Sequence, residues 1–561
     1  MTLPLYYWIK PRPIPNDVNR ELAVFSPVFR TVLYQRDFFT EIDSVAFLLP
    51  KEPDWYSTQQ LLHIDYACKL IQDSIQNHEF IAVFGDYDAD GITSTALLSL
   101  ALLKISDKVI PYIPDRLTEG YGLNKPALSS FFNQGARLVI TVDNGIRSVE
   151  EVEYANSLGM KVIITDHHTP EKRLPSAAII LNPKLPSDPY PDKNLAGVGV
   201  AYKLISALSD LFPEINPADY LDLVAIGSIA DIVPLVGENR YLVRKGLSSL
   251  NPSRRQGISS LLGAANLISS KIRASDVSFQ IGPRLNASGR LGSADTPLDL
   301  LLSSDPNKCG KLAQILENHN YKRKKLSREL ERQAEILVSV DDPLPFILIA
   351  IDPDFHLGVA GIAAGSLTRK YYLPSIVGNT GPEFTTASCR SIPEFNIISA
   401  LDQSKDLLLR YDGHSLAAGF TIPNDNLINL TKRLRALAEK QLAYLDIHPS
   451  ISIDAEVSLD QLNSELYSEL EKLEPTGCQN QEAVFLTENL TASQIKAIGQ
   501  DKMHLKMKVS DGSYTMDAIG FGLGYIAELI PSRFDAVYKF DLNEFRGNKT
   551  FQLKLLDIKP A

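Results

Sequence analysis

Polar and apolar positions change rhythm several times along this chain. Between residues 80 and 181, apolar runs that do not alternate recur at Phe80–Phe84, Lys108–Ile113, Arg137–Val142, Lys161–Thr165 and Ala177–Leu181. Runs of this kind read as strands buried on both faces. Helical spacing predicts helices before and between them, at Asp65–Ile75, Thr93–Lys104, Asn124–Gln134 and Ser148–Leu158. Strands alternating with helices of about ten residues predict a parallel, doubly wound α/β sheet. Helices are predicted next at Val198–Asp210 and Pro217–Ala230. Residues 240–300 read as mainly helical, interrupted at Ile281–Arg290. A long helix is predicted over Pro306–Val340, its basic run Lys322-Arg323-Lys324-Lys325 forming a solvated face or a strut.

Asp341-Asp-Pro343-Leu-Pro345 breaks the pattern, and Phe346–Ile351 opens a second α/β domain. Small residues from Gly358 to Gly365 begin a closely packed helix, Thr385–Arg390 reads as a strand, and Asp412–Phe420 as a glycine-flanked turn into a helix or strand. Past residue 448, short alternating segments at Ile451–Val457, Met503–Val509, Met516–Gly520, Ala536–Leu542 and Thr550–Leu555 predict a small β-barrel of the oligonucleotide-binding (OB) kind. With 561 residues, several cores are expected. The expected division is a lead-in over 1–45, a sheet domain over 46–250, a helical connector over 251–340, a second α/β domain over 341–445 and the barrel over 446–561. Prolines at 4, 11, 13 and 15 suggest a loosely structured lead-in packed on the next domain.

Composition narrows the class. Hydrophobic content of 44% and charged content of 22% are ordinary for a globular protein. No apolar run is long enough to span a bilayer, and the first residues lack the basic and apolar regions of a signal peptide. The four cysteines are scattered, which argues for reduced thiols in the cytoplasm and against a zinc cluster. A net charge of −11 means that a polyanionic partner would need a local basic groove.

The candidate chemistry sits where strands end. Asp86, Asp88 and Asp90 follow the first strand, Asp143 the third and the pair His167 and His168 the fourth, while Asp231 stands at a helix end among apolar neighbours. Each has an ordinary alternative: a solvated acidic turn, an Asp-Asn-Gly turn, a loop pair, a helix terminus. Their joint occurrence favours convergence, because strand ends of a doubly wound sheet meet in one crevice. Oxygen ligands with one or two nitrogens suit Mn²⁺ or Mg²⁺, and two such ions bridged by a carboxylate are the layout of phosphoryl chemistry. No Walker-type loop is present.

Asp86-Tyr-Asp-Ala-Asp-Gly-Ile-Thr-Ser, Thr141-Val-Asp-Asn-Gly-Ile, Ile164-Thr-Asp-His-His and Gly227-Ser-Ile-Ala-Asp-Ile-Val-Pro-Leu together resemble the DHH phosphoesterases, and most closely their RecJ branch of single-strand-DNA-specific 5′→3′ exonucleases. Ile281-Gly-Pro-Arg-Leu-Asn-Ala-Ser-Gly-Arg-Leu, Ser388-Cys-Arg390-Ser, Gly413-His-Ser-Leu-Ala-Ala-Gly-Phe and Leu473-Glu-Pro-Thr-Gly477 extend the likeness over about residues 45 to 560. The resemblance implies a DHH domain, a long connecting helix, a DHHA1 domain and an OB-like barrel.

It further implies two divalent ions, Mn²⁺ or Mg²⁺. Asp88, Asp143, His167 and Asp231 match one site, and Asp86 and Asp143 match the other. Asp90 and His168 would act behind the ligands or on the scissile phosphate, which His414 approaches. Arg116, Arg284, Ser388 and Arg390 match positions that hold the 5′-phosphate and adjacent backbone, a task suited to guanidinium forks. The implied partners are single-stranded DNA, a single-strand-binding protein and a RecQ-type helicase, with no membrane, and the chain is expected to be a monomer acting in recombination and repair. A phosphodiesterase for short oligonucleotides, and a replication scaffold without activity, are the rival readings. The chain departs from the family at Asp412-Gly413, usually two glycines, and in the segment after Pro475.

Overall fold

The computed structural model describes residues 6–50, 57–116, 118–120, 122–251, 253, 255–267, 271–291, 294–340, 343–545 and 548–561. The chain forms two compact units: one takes the residues up to Ile9 with Asn318–Ile451, the other Lys10–Glu317 with Ser452–Ala561.

The larger unit is built on a five-stranded sheet of β1 (Phe80–Phe84), β2 (Val109–Tyr112), β3 (Ala136–Val142), β4 (Lys161–Thr165) and β5 (Ile179–Leu181) in the order β2-β1-β3-β4-β5. Every pairing is parallel. Alternate side chains feed two separate cores. Ile81, Val83, Leu138 and Ile140 pack under α1 (Ala89–Leu102) and α2 (Gly197–Ser209), and Ala82, Phe84, Val139 and Val162 under Lys125–Asn133 and Val149–Ser157. A sheet covered on both faces needs unbroken apolar strands, which is why these runs do not alternate. The crevice then falls at the carboxyl ends, where β1 lies between β2 and β3 and the connections diverge to the two sides. Helix α3 (Leu221–Ala230) packs on α1.

Residues 281–290 are a continuation of helix rather than an interruption. A π-turn, Val277–Ile281, runs into α4 (Gly282–Leu291). Pro283 interrupts the helical hydrogen-bond ladder directly after this π-turn, and the irregular turn accommodates the missing N–H. The long helix α5 spans Pro306–Val338, and the division between the two units falls within it.

The same unit contains a closed five-stranded barrel: β6 (Phe485–Ile498), β7 (His504–Ser510), β8 (Thr515–Gly520), β9 (Phe534–Phe545) and β10 (Asn548–Pro560). The order is β6-β7-β8-β10-β9, with β9 pairing back onto β6. The expected strand Ile451–Val457 is instead two short pieces, Ser450–Ser452 and Ala455–Glu456.

The lead-in is not loose. It forms short helices at Asn16–Glu21, Pro27–Gln35 and Glu41–Leu48, and Leu22, Phe29, Val32, Leu33 and Leu48 are buried in the barrel's core, not against the neighbouring sheet. Two prolines mark helix starts: Pro15 precedes the first helix and Pro27 opens the second, the position proline tolerates best.

In the smaller unit the sheet runs Arg410–His414, Ala417–Pro423, Phe384–Arg390, Ser375–Thr380, Leu348–Ile351. The segment around Gly413 is thus a hairpin of two strands. Among the described residues no helix is long and apolar enough to cross a membrane.

Arg240 ties the N-terminal helices and the segment before the barrel to the sheet domain. It is 1% exposed. Its guanidinium donates to the carbonyls of Phe47 (2.7 Å), Leu473 (2.8 Å), Pro475 (3.3 Å), Lys472 (2.9 Å) and Glu474 (3.2 Å), and lies 4.0 Å from the Phe47 ring centroid. Arg240→Met keeps the bulk and strands these acceptors, so urea unfolding should show a loss of about 3–5 kcal/mol. A loss below about 1 kcal/mol would mean that water reaches the carbonyls and that the tie is not structural.

Candidate metal centre

The centre starts at the end of β1. Gly85 continues the ladder through a 2.9 Å bond to Tyr112 O, and a Cβ there would collide with Thr95 Oγ1. Asp88 then caps α1, its Oδ1 accepting the amides of Asp90 and Gly91 at 3.0 Å each. The positive end of the helix steadies this carboxylate. Asn286, reaching in from α4, accepts the Ala89 amide at 2.7 Å. Asp90 is buried and points to a second helix start: Gly197 N donates to its Oδ2 (2.7 Å) and Val198 N to its Oδ1 (2.9 Å).

At the end of β3 the chain turns sharply. Asp143 has φ 62°, in the left-handed region that Asp tolerates better than most residues. Asn144 closes the turn through its side-chain amide to Val142 O (2.9 Å). Glycine is required opposite, since a Cβ on Gly197 would lie 2.5 Å from Asp143 Oδ1. At the end of β4, Asp166 accepts the amides of Ile146 (2.9 Å), His167 (2.7 Å) and His168 (3.0 Å). It also faces His168 Nδ1 at 2.7 Å. A carboxylate in that place assigns the proton of His168 to Nδ1.

These turns bring Asp86, Asp88, Asp90, Asp143, His167, His168 and Asp231 together. Ligating atoms of Asp86, Asp88 and Asp143 lie within 4.8 Å of one another, as do those of Asp90, His167 and Asp231, and those of Asp143, His167 and His168. His167 Nε2 is 3.0 Å from Asp143 Oδ1, 3.7 Å from Asp231 Oδ2 and 3.9 Å from Asp90 Oδ2. Closeness does not make a hydrogen bond here. His167 Nε2, Asp143 Oδ1 and Asp86 Oδ1 are all buried without a hydrogen-bond partner.

The electrostatics state the same conflict. Burial first, and the neighbouring carboxylates second, push Asp86 and Asp143 well above the usual carboxylate range, Asp90 to about 7 and Asp231 to about 9. Burial takes His167 down to about 3. For Asp166, burial is outweighed by His168, and the carboxyl stays below its ordinary value. For His168, burial acts downward, but the bond to Asp166 prevails and its pKa rises. A neutral imidazole and crowded carboxylates, with unpartnered buried donor atoms, are what a divalent cation satisfies. The donor set of oxygens with imidazole nitrogen, without thiolate, fits Mn²⁺ or Mg²⁺.

The remaining expected residues lie elsewhere. Arg116 is half-buried, its guanidinium 5.1 Å from the Tyr87 ring centroid and its charge felt at Asp86. Arg284 is buried, with Glu317 Oε2 at 2.5 Å and Gln280 O at 2.8 Å. Ser388, Arg390 and His414 belong to the smaller unit. There Ser388 faces Gly419 across the strands, and Ala417 faces both Arg390 and His414. A Cβ on Gly361 would lie 3.1 Å from Arg390 Nη2 and 3.5 Å from Ser388 Oγ, so glycine lets the helix Leu357–Tyr371 approach them. Asp412 accepts the Gly413 amide at 2.8 Å within the strand Arg410–His414, not in a turn.

Four supporting groups were not singled out in the sequence: Asp166, Asn286, the Gly197–Val198 amides, and Lys184, whose charge acts on Asp231. Only for Asp166 was there a local signal, a carboxylate two residues before His168 at a strand end.

Comparisons with known proteins place the chain in a family. The family model described as DHH family, N-terminal domain, matches residues 80–228, and that described as RecJ OB domain matches residues 453–557. The chain is 35% identical to the single-stranded-DNA-specific exonuclease RecJ of Bacillus subtilis over 98% of this chain and 70% of that protein. It is 34% identical to RecJ of Escherichia coli, over 90% of this chain and 91% of that one. RecJ from Thermus thermophilus, solved in complex with Mn²⁺, superposes with a TM-score of 0.85 at 28% identity, covering 99% of this chain and 79% of that one. The same protein in complex with Mg²⁺ gives a TM-score of 0.79 at 27% identity, covering 99% and 78%. The chain therefore belongs to the RecJ family of single-stranded-DNA-specific exonucleases.

Proposed function

We propose that this enzyme removes nucleotides from single-stranded DNA in the 5′→3′ direction by two-metal phosphodiester hydrolysis, in recombination and repair. The observation that carries the reading is Asp143: a buried carboxylate shared by two of the donor clusters, with an oxygen that has no hydrogen-bond partner. Asp88, Asp143, His167 and Asp231 would hold one divalent ion, and Asp86 and Asp143 the other. When bound, such ions supply Lewis acidity and neutralise the charge of the phosphoryl group.

The chain's own residues do the rest. Asp90, fixed by the Gly197 and Val198 amides and 3.9 Å from His167 Nε2, would act behind the ligands. His168, charged more readily than a free imidazole through Asp166, holds a proton toward the phosphate or its leaving oxygen. Arg116 and Arg284 would position strand phosphates beside the centre, and Arg284 would have to exchange its bond to Glu317 to do so. In the smaller unit, Ser388 and Arg390 match positions that hold the 5′-phosphate and adjacent backbone, and His414 matches the position that approaches the scissile phosphate. The barrel would hold the upstream strand through stacking and basic side chains.

Degradation of a labelled single strand with its 5′ or its 3′ end blocked tests polarity directly. A 5′ block should stop digestion, and persistent digestion from a free 3′ end would refute the proposed direction.

Asp143→Asn should lower Mn²⁺-dependent hydrolysis by about a thousandfold or more, the loss of a charged contact worth roughly 4 kcal/mol. It should also abolish the rise in melting temperature expected from Mn²⁺ in the wild type, and raise stability in chelator, because the metal-free fold no longer has to keep a carboxyl protonated there. Hydrolysis at the wild-type rate would remove Asp143 from the centre. Arg390→Ala should raise KM on 5′-phosphorylated strands about tenfold while leaving 5′-hydroxyl strands little affected. An equal loss on both would deny it the terminal phosphate.

The carboxyl shifts predict a pH trend. Asp90 and Asp231 are raised to about 7 and about 9, against about 3.9 in an unfolded chain. Over that window the folded metal-free protein holds more protons than the unfolded one. Its stability therefore falls as pH rises from about 5 to about 9. Melting in chelator should show this decline, and saturating Mn²⁺ should flatten it; a metal-free protein that gains stability over the same range would contradict the raised values.

A further inference from the structure

Next to Asp231 the backbone does something costly. Ile232 N bonds back to Ile229 O at 3.2 Å, closing α3, and Ile232 has φ 61°. This place just past a helix end is one that glycine takes most often, because a β-branched side chain is a true outlier there. The side chain gains no burial in return. Ile232 is 70% exposed, whereas its neighbours Val233 and Leu235 are buried. The segment does bury apolar residues; it turns this one out. Strain and exposure together mark a side chain kept for something it touches in a complex.

A second exposed apolar residue, without backbone strain, stands on the neighbouring π-turn. The π-turn before α4 abuts the last turn of α3, where a Cβ on Gly282 would come 3.3 Å from Ala230 Cβ. On that turn Val277 and Ile281 are fully buried, and Phe279 is 76% exposed. π-turns of this type are frequent at functional sites. The Asp231 side chain, which directly precedes Ile232 in the chain, is itself 27% exposed.

We propose that Ile232 and Phe279 form an apolar lip that receives the unstacked base and sugar of the strand beside the carboxylate cluster, and so favour a single strand over a duplex end. The inference rests on the exonuclease reading and adds a specificity element to it. A phosphate drawn to the centre brings its own sugar and base with it, and these are the parts of a nucleotide that apolar side chains can contact. In a duplex the base faces are stacked and the edges paired, so the lip has nothing to touch until the end frays. Carboxylates cannot serve at this rim, because they would repel the adjoining phosphates.

The test compares two 5′-phosphorylated oligodeoxynucleotides in Mn²⁺, one complete and one with tetrahydrofuran abasic residues at its first positions. Ile232→Gly should raise KM on the complete strand about five- to tenfold, with kcat changed less than about twofold. The loss on the abasic strand should be clearly smaller, so the wild-type preference for bases shrinks. Its melting temperature should equal or exceed the wild type's, since the strain is relieved, and Ile232→Val should recover most of the affinity. Phe279→Ala should show the same split between strands. A loss by one common factor on both strands, or a lowered melting temperature with uniform loss, would overturn the lip and leave a structural role. A wild type that digests neither strand would instead sink the exonuclease reading itself.

Discussion

Mutual repulsion of buried carboxylates is the constraint around which the larger unit is built. Asp86, Asp90 and Asp143 are buried, and Asp88 and Asp231 lie close beside them. Two such charges 4 Å apart repel by about 4 kcal/mol in surroundings of intermediate polarity. Without cations the fold relieves this by retaining protons, as the raised carboxyl values show. With divalent ions the same geometry becomes attractive.

Holding these groups against their repulsion requires rigid supports, and each carboxylate has its own. Asp88 is a helix cap, Asp90 is gripped by the first amides of α2, and Asp143 sits in a left-handed turn closed by Asn144. Asp166 gathers three backbone amides and an imidazole. The close approach of the helices depends on missing side chains. A Cβ on Gly227 would lie 2.8 Å from Asp90 Oδ1, and one on Gly289 would lie 2.7 Å from Tyr87 O. Glycine at these places is a packing requirement imposed by the site.

Much of this was legible in the sequence because it is local. Unbroken apolar runs fixed the strands of a sheet covered on both faces, and carboxylates directly after those runs had to fall at one edge. The barrel was less legible. Its longest strand, β6, was not read, because its ladder shifts register between Thr487 and Leu490 and again between Ser493 and Lys496, with Asn489 and Gln494 at positive φ. Such bulges erase the period of two on which strand reading depends. The N-terminal helices were missed for another reason: frequent prolines suggested irregular chain, yet the helical spacing of Val28, Phe29, Val32 and Leu33 was present and needed the distant barrel to give it meaning.

The sequence by itself determined the chemical kind of the site, since ligand type and strand-end position are both written in short stretches. Tertiary structure decided what each group is free to do. Whether Arg284 faces Glu317, whether Asp90 meets the amides of Gly197 and Val198, and whether Asn286 reaches Ala89 depend on contacts between residues far apart in the chain. The same holds for Ile232, whose composition is that of a core residue and whose backbone turns it outward. Local spacing carries no information about such pairings, because side-chain partners are selected only when the helices close over the sheet.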